Sequence, residues 1–593
     1  MPKKKKSKRQ KVQDVSTFSG LSNITGFGDL GGAASIDDCM AEMMFHTESR
    51  SENQPQQNDD AISAPENTIE SISIRYPETI HPPKRGAPRQ PSWIQQANKA
   101  KTSSKYMMSA EDIENWNRSF ETWANGGIYS PGLLPNIDQE IARNFKVKEL
   151  SDLLLKNKKF AGKDLRMPLF ERWLLDSKHE EESEGVVGDC VLTLRSSPDS
   201  GASQRLLSEL TSKQNGVDQT DAENVIAKLC RTTNLACQEL LSQEDRYRRQ
   251  SPLNKGDRIN MSTKPSSTNT FVSLEYSRKK WKKPFCFRIN QIHYKKLKDR
   301  FLEIHPRFIF GGGKIVKNNM ETMVERSFHV LVLALLLRYS ALSGGGLLDD
   351  LRGGGMQGAI HSSVFEVLQA HFSKGKDSPS SNSWFEGFAS PFNAALPRFA
   401  SAFPDLDWHF GSVGRFFDCK FDAKIQPDEN DNGEYCEANP PFTPGIMMAM
   451  VDHMVEALRR GDKNNIPLTF VVVVPSADNK KKRKSKSAIS SDENNDIAVA
   501  KSAATRSFRT MLSSSYCTRH VLLNAREHGY VEGAQHLRPT QYKQSSYDTS
   551  VIILQTPKAA STDLTELEKD LRVAFSSRHE SELIERKRKC ATT

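Results

Sequence analysis

One run of β-branched residues restricts the fold of this chain more than any other feature. Residues 468–475 read LTFVVVVP, and the strand that they predict is apolar on both faces. Such a strand is typical of a parallel sheet that helices cover on both sides. The alternation of β-like runs with helical segments around it predicts a doubly wound α/β domain. The other runs are WFEGFAS (384–390), WHFGSVGRFFD (408–418), GEYCEA (433–438), RHVLLNA (519–525) and SVIILQ (550–555).

Changes in composition along the chain predict four segments. Residues 1–105 are rich in Ser, Asn, Gln, Pro and Lys without sustained periodicity, so we expect a disordered basic tail. Helical periodicity dominates residues 106–345, for which we expect a helical domain. The α/β domain then occupies residues 346–560, with a flexible basic insertion at 478–496. Residues 561–593 are expected to form a C-terminal helical and basic tail.

The charge of the chain favours a polyanionic partner such as nucleic acid. The formal net charge is +10 and the isoelectric point is near 9.0. The alternative is a basic tail on a neutral enzyme. The segment KKWKKPFCFRINQIHYKKLKDRF at 279–301 interleaves basic and aromatic residues. It predicts either a solvated basic helix with core aromatics or a face that contacts RNA, and the second interpretation makes 106–345 a helical RNA-binding domain.

The N-terminus and the cysteines indicate a compartment. MPKKKKSKRQK has no apolar segment behind it, so it reads as a nuclear-import or phosphate-contacting patch and not as a secretory signal. The nine cysteines form no Cys-x-x-Cys pair, which argues against a zinc site or a disulfide scaffold. The longest apolar run, VLVLALLL at 330–337, is too short to cross a bilayer. The sequence predicts a soluble nuclear protein without a bound metal and without a membrane partner.

The segment Asn439–Phe442, Asn-Pro-Pro-Phe, stands where a predicted strand ends and a predicted helix begins. GEYCEA precedes it. Apolar residues at helical spacing follow it: Met447, Met450, Val451, Met454 and Leu458. Ligands of open α/β sheets bind at the carboxyl ends of the strands. The position therefore predicts a ligand-binding loop.

The residue types of this loop suit transfer of a methyl group to an exocyclic amine of a base. The lone pair of such an amine is delocalised into the ring, and two acceptors that take its hydrogens favour a more reactive nitrogen. The side-chain oxygen of Asn439 and a neighbouring carbonyl are suitable acceptors, because proline fixes the backbone and removes a competing donor. Phe442 is expected to stack on the base. A proline-rich loop with a core phenylalanine is the alternative, and four residues alone leave both open.

An ordered series of segments resembles one family of methyltransferases. Asn-Pro-Pro-Phe is one form of the Asp/Asn-Pro-Pro-aromatic motif of amino-group methyltransferases that use S-adenosylmethionine. EGFASPFNA, ASAFPDLDWHFGSVGRFFD, EANPPF, RHVLLNAREHGYVEGAQH and DTSVIILQ occur in this order, and together they resemble the phosphorylated-CTD-interacting factor 1 family. The resemblance implies a class I (Rossmann-like) S-adenosylmethionine-dependent methyltransferase domain preceded by a helical domain. It also implies N6-methylation of the cap-adjacent 2'-O-methyladenosine of capped mRNA.

The same resemblance assigns residues to the site. The catalytic motif corresponds to Asn439, Pro440, Pro441 and Phe442. Residues expected to bind the cofactor are Phe388, Ala389, Ser390, Asn393, Gly411, Ser412 and Asp418. A structural turn role is the alternative for Asp418. Residues expected to contact the substrate are Arg172, Pro475, Gln535 and His536. The alternative for Arg172 is ordinary helix packing, and for His536 a satisfied loop histidine.

The chain departs from the animal members of this family in two places. Those proteins carry an N-terminal WW domain that binds phosphorylated polymerase tail repeats. Between Trp93 and Trp116 the expected tyrosine pair and strand pattern are missing, so no WW domain is evident and association with RNA polymerase II is left open. The animal proteins also have an acidic residue and an aromatic where this chain has Ser476 and Ala477 after Pro475. Two alternatives therefore stay open: N6-adenine methylation of internal RNA or DNA, and a non-catalytic RNA-binding or transcription scaffold with the same fold.

Overall fold

A computed structural model describes most of the chain between residues 110 and 576. The described residues are 110–125, 128–160, 165, 167–212, 215–250, 252–253, 257–265, 270–278, 284–306, 317–345, 358–372, 384–421, 434–476, 506–531, 542–545, 547–560 and 564–576. The predicted tail at 1–105 and the predicted insertion at 478–496 lie outside these residues, as do Gln535 and His536.

Helices dominate the described residues up to 345. They are α1 (Ala110–Ala124), α2 (Ile137–Leu155), α3 (Met167–Ser183), α4 (Gly201–Thr211), α5 (Gln219–Ser242), α6 (Glu244–Arg249), α7 (Gln291–Ile304) and α8 (Lys317–Leu342). Polar side chains fix several of their starts. Asn136 accepts hydrogen bonds from two amides of the first turn of α2, and Asp218 accepts one from Asp221 in α5. Such caps satisfy amides that have no partner within the helix.

A three-stranded antiparallel sheet interrupts this helical part. Its strands are β1 (Arg258–Pro265), β2 (Thr270–Ser277) and β3 (Phe285–Asn290), in that order. The described part of the basic and aromatic segment, residues 284–301, is therefore part strand and part helix, and not one basic helix. Phe287 and Ile289 alternate into the core of the protein, which is strand periodicity. Asn290 then caps α7 by accepting a hydrogen bond from the amide of Ile292.

The α/β part is built on a five-stranded sheet in the order β4-β5-β6-β10-β7. β4, β5 and β6 are parallel, whereas β10 is antiparallel to both of its neighbours. The strands are β4 (Trp384–Glu386), β5 (Glu434–Ala438), β6 (Leu468–Pro475), β7 (Cys517–Leu523) and β10 (Thr549–Gln555). A separate pair is formed by β8 (Gly529–Val531) and β9 (Tyr542–Gln544).

Two isolated bridges extend this sheet beyond β4. Phe399 forms a parallel bridge to Glu386, and Ser412 forms one to Phe399. Across the sheet, the order is therefore Ser412, Phe399, β4, β5, β6, β10 and β7. If the parallel elements alone are numbered as they occur along the chain, starting from β4, this order reads 3-2-1-4-5-6, with the antiparallel β10 before the last. This order is that of a doubly wound fold, whose ligands bind where the order reverses, between the first and fourth strands. Here that point lies between β4 and β5.

Helices cover both faces of the five-stranded sheet, as its apolar strands require. They are α9 (Ser362–Phe372), α11 (Pro444–Lys463), α12 (506–513) and α13 (Thr565–Phe575), with a short α10 (Pro404–Asp407) beside the sheet. Phe470 of β6 packs in a cluster with residues of α11 and α12. Val471 faces the opposite cluster, with residues of α9 and α13. The helix predicted in the C-terminal segment therefore packs on the α/β sheet.

The prediction of a strand at 408–418 is wrong. Trp408–Phe410 and Phe416–Asp418 form single turns of 3-10 helix. Gly411, between them, has φ of 101°, a left-handed conformation that favours glycine. Of the aromatic side chains that suggested a strand, Trp408 packs against the helical part, with its ring 5.6 Å from that of Trp116, whereas Phe416 packs in the core on one face of the α/β sheet. Among the described helices, none has the length and hydropathy needed for a membrane span.

Candidate active site

The loops that follow β4 and β5 meet at the switch point of the sheet. Glu386 and Glu437 are register partners in the two parallel strands, so both strands end at the same edge. The amide of Gly387 donates to the carbonyl of Glu437 at 2.7 Å. A Cβ on Gly387 would lie 3.0 Å from that oxygen, so only glycine fits here without a shift. The loop predicted for the cofactor and the Asn-Pro-Pro-Phe loop therefore begin side by side.

Asn439 is held with its side-chain oxygen unengaged. It is the first residue after β5, and it is 7% exposed. Its Nδ2 donates to the carbonyl of Gly358 at 3.0 Å, which fixes the orientation of the amide group. Oδ1 is buried, and no described residue donates to it. A buried acceptor without a donor is costly, and Asn439 Oδ1 is therefore a group that can accept a hydrogen bond from a ligand.

The prolines supply a second acceptor. The carbonyl of Pro441 accepts the amide of Thr443 at 2.7 Å. The carbonyl of Pro440 receives no hydrogen bond from the described residues. Because neither proline has an N–H, no backbone donor of this step competes for a ligand. Asn439 Oδ1 and the Pro440 carbonyl are thus consecutive acceptors on one rigid backbone segment.

Phe442 belongs to an aromatic cluster with two tyrosines that the sequence analysis did not predict. Its ring centre is 6.5 Å from that of Tyr530 and 6.2 Å from that of Tyr547. Tyr530 is buried, whereas Tyr547 is 38% exposed. The hydroxyl groups of Tyr530 and Thr549 are 2.7 Å apart. Burial raises the pKa of Tyr547 to about 12 and that of Tyr530 well above its usual range, so both phenols are neutral and present ring surface and hydroxyl groups beside Phe442.

Two buried carboxyl groups lie under the loops. Glu386 Oε2 accepts the amides of Ala395 and Leu396 at 2.9 and 3.1 Å, and burial raises its pKa to about 7. Burial, with the Glu386 charge, raises the pKa of Glu437 well above its usual range. Glu437 Oε1 has no hydrogen-bond partner among the described residues. Glu437 is thus a neutral polar group two residues before Asn439. The only sequence signal for the pair is an acidic residue at or near the end of each strand.

The turn after β4 is closed on itself and anchored from outside. Asn393 Oδ1 accepts the amide and the hydroxyl of Ser390 at 2.6 and 3.0 Å. Lys296 Nζ, from α7, donates to the carbonyls of Phe392 and Ala394 at 2.7 and 3.1 Å. Arg300, one turn further along α7, also donates to the Ala394 carbonyl. The helical part therefore fixes the loop in which Ser390 and Asn393 were predicted to bind the cofactor.

The other predicted cofactor residues lie on both sides of this turn. Phe388 is half-buried, with its ring 4.6 Å from that of Phe416. The amide of Ala389 donates to the carbonyl of Ala400 at 2.9 Å. The hydroxyl groups of Ser412 and Ser401 are 2.7 Å apart. Ser412, like Gly411, lies at the position of the third strand, beyond Phe399.

Asp418 is engaged within its own turn. Its Oδ2 accepts Arg415 Nε at 3.0 Å, as the structural alternative requires. Arg172 pairs with Glu209 of α4, so its guanidinium is held within the helical part. Pro475 ends β6 and is the register partner of Thr549, which places it beside the aromatic cluster. The structure thus brings Asn439–Phe442 and Pro475 to one edge of the sheet.

Comparison with known proteins supports the resemblance seen in the sequence. A family model described as "Phosphorylated CTD interacting factor 1 WW domain" matches residues 313–505. Two curated relatives, from Homo sapiens and Mus musculus, are named mRNA (2'-O-methyladenosine-N(6)-)-methyltransferase. Each is 30% identical to this chain over 226 residues. The matched stretch is 38% of this chain and 25% of each relative, so the chain spans about a quarter of their length.

The sheet order, the loop at its switch point and these relatives together indicate a class of protein. The fold is that of an S-adenosylmethionine-dependent methyltransferase. Within that class, the matches confirm the similarity to the phosphorylated-CTD-interacting factor 1 family.

The expectation that no WW domain is evident is wrong. The family model that matches is described as the WW domain of that family, and it covers residues 313–505. This range lies C-terminal to Trp93 and Trp116 and includes the Asn-Pro-Pro-Phe loop. The spacing of those two tryptophans was therefore no guide to the match.

Proposed function

We propose that this protein transfers a methyl group from S-adenosylmethionine to N6 of the cap-adjacent 2'-O-methyladenosine of capped mRNA. The single observation that carries the proposal is Asn439 Oδ1, a buried acceptor without a donor among the described residues. Its place after β5, beside the loop of β4, is where a doubly wound sheet binds its ligands. The names of the human and mouse relatives support the choice of RNA.

The residues of the loop have separate roles in this proposal. Asn439 Oδ1 and the Pro440 carbonyl accept the two hydrogens of the amine, which orients its lone pair away from the loop. Phe442 stacks on the adenine ring, as aromatic side chains do with unstacked bases. Because an Asn side chain is not a base, catalysis rests on positioning and on fixed dipoles. Pro441 keeps its own carbonyl turned towards Thr443 and so holds the step rigid.

The residues at the end of β4 fit an adenosyl cofactor. Gly387 lets the ends of β4 and β5 pack closely, because a Cβ there would lie 3.0 Å from both the Glu437 carbonyl and the Phe416 ring. Phe388 offers a half-buried ring, and Glu437 offers an unpartnered polar atom among the described residues. When bound, S-adenosylmethionine supplies an activated methyl group on a sulfonium. Ser390 and Asn393 shape the turn beside the cofactor, whereas the Asp418 carboxylate is occupied by its hydrogen bond from Arg415.

The remaining assignments are part of the same proposal. Residues 106–345 form an RNA-binding domain of helices with a small sheet, and 346–560 form the catalytic domain together with α13. Arg172, Pro475, Gln535 and His536 are proposed substrate contacts. The basic N-terminus directs the protein to the nucleus. The family description that matches residues 313–505 makes the phosphorylated tail of RNA polymerase II a proposed partner, beside capped mRNA.

A transfer assay with methyl-labelled S-adenosylmethionine tests this proposal. The full chain is compared on short RNAs that start with 2'-O-methyladenosine or adenosine, with and without a 7-methylguanosine cap, and on single-stranded DNA. Preferential labelling of the capped 2'-O-methylated RNA supports the proposal. Equal labelling of capped and uncapped RNA would move the function to internal adenines, and no labelling of any nucleic acid would leave a scaffold.

A further inference from the structure

Helix α11 begins directly after the Asn-Pro-Pro-Phe loop, and its own residues leave its start uncapped. Thr443, at the N-cap position, makes no side-chain capping bond. Its hydroxyl is buried and has no partner among the described residues. Pro444 occupies the first helical position, where no N–H is needed. The next two amides, of Gly445 and Ile446, require acceptors from elsewhere.

The acceptors come from α3, in the helical part of the protein. Asp176 Oδ2 accepts the amide of Gly445, and Oδ1 accepts that of Ile446, both at 3.3 Å. Asp176 is 3% exposed, so these bonds are shielded from water. A carboxylate at this end also opposes the positive end of the helix dipole. A residue far away in sequence therefore provides the cap that Thr443 does not.

The fit around this cap is close on every side. Arg205 Nε donates to Asp176 Oδ2 at 2.8 Å, which fixes the carboxylate. A Cβ on Gly445 would lie 2.7 Å from Asp176 Oδ1 and 2.9 Å from an Arg205 nitrogen. A Cβ there would force the Asp176 or Arg205 side chain to shift, so Gly445 lets both side chains lie directly against the first turn of α11.

A second contact ties α3 to the neighbouring loop. Glu182, near the end of α3, forms an ion pair with Arg415 at 2.5 Å. Arg415 also holds Asp418. Between the two contacts, the ring of His179 lies 4.5 Å from that of Phe417. Because the C-terminal half of α3 is held at Asp176, His179 and Glu182, the Asp176 carboxylate is a fixed reference for the start of α11.

We infer that Asp176 is a positioning residue for methyl transfer. It pins the first turn of α11, and β5 pins the other end of the loop, so the Asn439 and Pro440 acceptors keep their separation. The helical part then helps to position the catalytic loop, in addition to providing a surface for RNA. This inference rests on the proposed function, because the loop that Asp176 holds is the one proposed to bind the target amine.

Three variants of the full chain test the inference. Asp176→Ala removes both acceptors, and Asp176→Asn keeps one acceptor oxygen. Glu180→Gln is the matched control, because Glu180 binds the same Arg205 at 2.8 Å from the same helix but makes no hydrogen bond to α11 in the described residues. For each, kcat and KM are measured for RNA and for S-adenosylmethionine. Hydrogen exchange is followed in a peptide that contains the Gly445 and Ile446 amides.

The expected result is a split between kcat and KM. Asp176→Ala should lower kcat by about 10- to 100-fold, the scale on which a small misplacement acts. The KM for S-adenosylmethionine should stay unchanged, and the amides of the first turn should exchange faster. Asp176→Asn should recover part of kcat, and Glu180→Gln should match the parent in both readouts. A uniform loss of folded protein, seen as fast exchange throughout, would overturn the positioning role.

The cap and the proposed function fail in different ways. Parent-like exchange at Gly445 and Ile446 in Asp176→Ala would overturn the cap, whatever the activity. Faster exchange with unchanged kcat would overturn the positioning role and leave the methyltransferase assignment intact. The third outcome combines faster exchange at these amides in Asp176→Ala with a parent protein that labels no nucleic acid. It would overturn the proposed function and, with it, the catalytic role of the cap.

Discussion

Asn439 Nδ2 donates to the carbonyl of Gly358 at 3.0 Å, so the amide group of Asn439 can turn only one atom, Oδ1, towards the loop. Gly358 stands four residues before α9. The bond therefore sets which end of the amide is the acceptor. A freely rotating Asn would present donor and acceptor alike.

Removal of this acceptor is expected to abolish methyl transfer. Asn439→Ala should reduce kcat by at least about 100-fold, the scale seen when one fixed polar group is lost from an active site. Loss of the bond to Gly358 should lower the free energy of unfolding by only about 1 kcal/mol. Single-turnover rates and thermal unfolding check both values. A rate close to the parent's would remove the role given to Oδ1.

The ring of Phe442 is expected to contribute through stacking on the target base. Phe442→Ala should lower kcat/KM for RNA by roughly 5- to 150-fold, since base stacking is worth about 1–3 kcal/mol. Phe442→Trp should retain most of the rate, because its ring offers a larger stacking face. Phe442→Leu, which keeps apolar volume without a ring, is the control. Equal rates for the Leu and Trp variants would argue for simple packing.

Tyr547 is expected to affect RNA binding by its ring and not by its hydroxyl. Tyr547→Ala should raise the KM for RNA several-fold, because aromatic contacts contribute about 0.5–1.5 kcal/mol. Tyr547→Phe should behave like the parent. In the parent, the pKa of Tyr547 is about 12, so ionisation of this phenol should not affect rates below about pH 10.

Tyr516 offers a matched control for this variant. It stands directly before the first residue of β7, at the end of the sheet away from the Asn-Pro-Pro-Phe loop. Its hydroxyl donates to Asp462 at 3.2 Å. Tyr516→Ala should leave the KM for RNA unchanged. The same increase in both alanine variants would indicate a general loss of stability and not a contact at the site.

Glu171 on α3 is expected to make stability depend on pH. Its carboxyl oxygens are buried without partners among the described residues, and burial raises its pKa to about 7 from 4.5. The folded protein then keeps a proton that the unfolded chain loses, so this contribution to the free energy of unfolding falls as pH rises between about 4.5 and 7.

Glu171→Gln removes this titration. Its free energy of unfolding relative to the parent should increase by up to about 3 kcal/mol from pH 4.5 to pH 8, at about 1.36 kcal/mol per unit of pKa shift. Denaturant titrations at several pH values measure the difference. Glu184→Gln, at an exposed glutamate just beyond α3, is the control. A difference that does not vary with pH would contradict the buried carboxyl.

The contact between Asp176 and Gly445 is expected to make two substitutions non-additive. Gly445→Ala places a Cβ against the Asp176 carboxylate and should destabilise the protein by about 1–3 kcal/mol, as overpacking does. With Asp176→Ala in the same chain, the clash with the carboxylate is gone, and only the close approach to Arg205 is left. The double variant should therefore lose less than the sum of the single losses by at least about 0.5 kcal/mol. Strict additivity would mean that the two residues do not touch in solution.

The helices and strands of the fold could largely be predicted, because the spacing of apolar residues that indicates them is visible within each short segment. The run at 468–475 became β6, buried on both faces, and four of the other five runs became β4, β5, β7 and β10. The run at 408–418 did not, since a left-handed Gly411 interrupts it and its aromatic side chains divide between the helical part and the core of the α/β sheet. For the segment at 279–301, the interpretation as a basic helix is wrong over Phe285–Asn290, because pairing with β2 selected a strand there, and the interpretation as a face that contacts RNA stays a prediction.

The candidate site was only partly predictable from sequence. The position of Asn439–Phe442 between a strand and a helix was visible, and the structure adds the orphan oxygen that gives the position chemical meaning. The roles of these residues stay predictions. Tyr530, Tyr547 and Asp176 carry no local signal, because each reaches the loop through long-range packing. The pairing of Glu386 with Glu437 depends on the register of β4 and β5, which no single segment reveals.

The most direct measurement is to identify the methylated nucleoside. Capped RNA that begins with 2'-O-methyladenosine is incubated with the full chain and S-adenosylmethionine, then digested and examined by mass spectrometry beside the Asn439→Ala variant. The account predicts N6,2'-O-dimethyladenosine from the first nucleotide with the parent, and unmodified 2'-O-methyladenosine with the variant. Methylation at another atom or nucleotide, or equal product from both proteins, would contradict it.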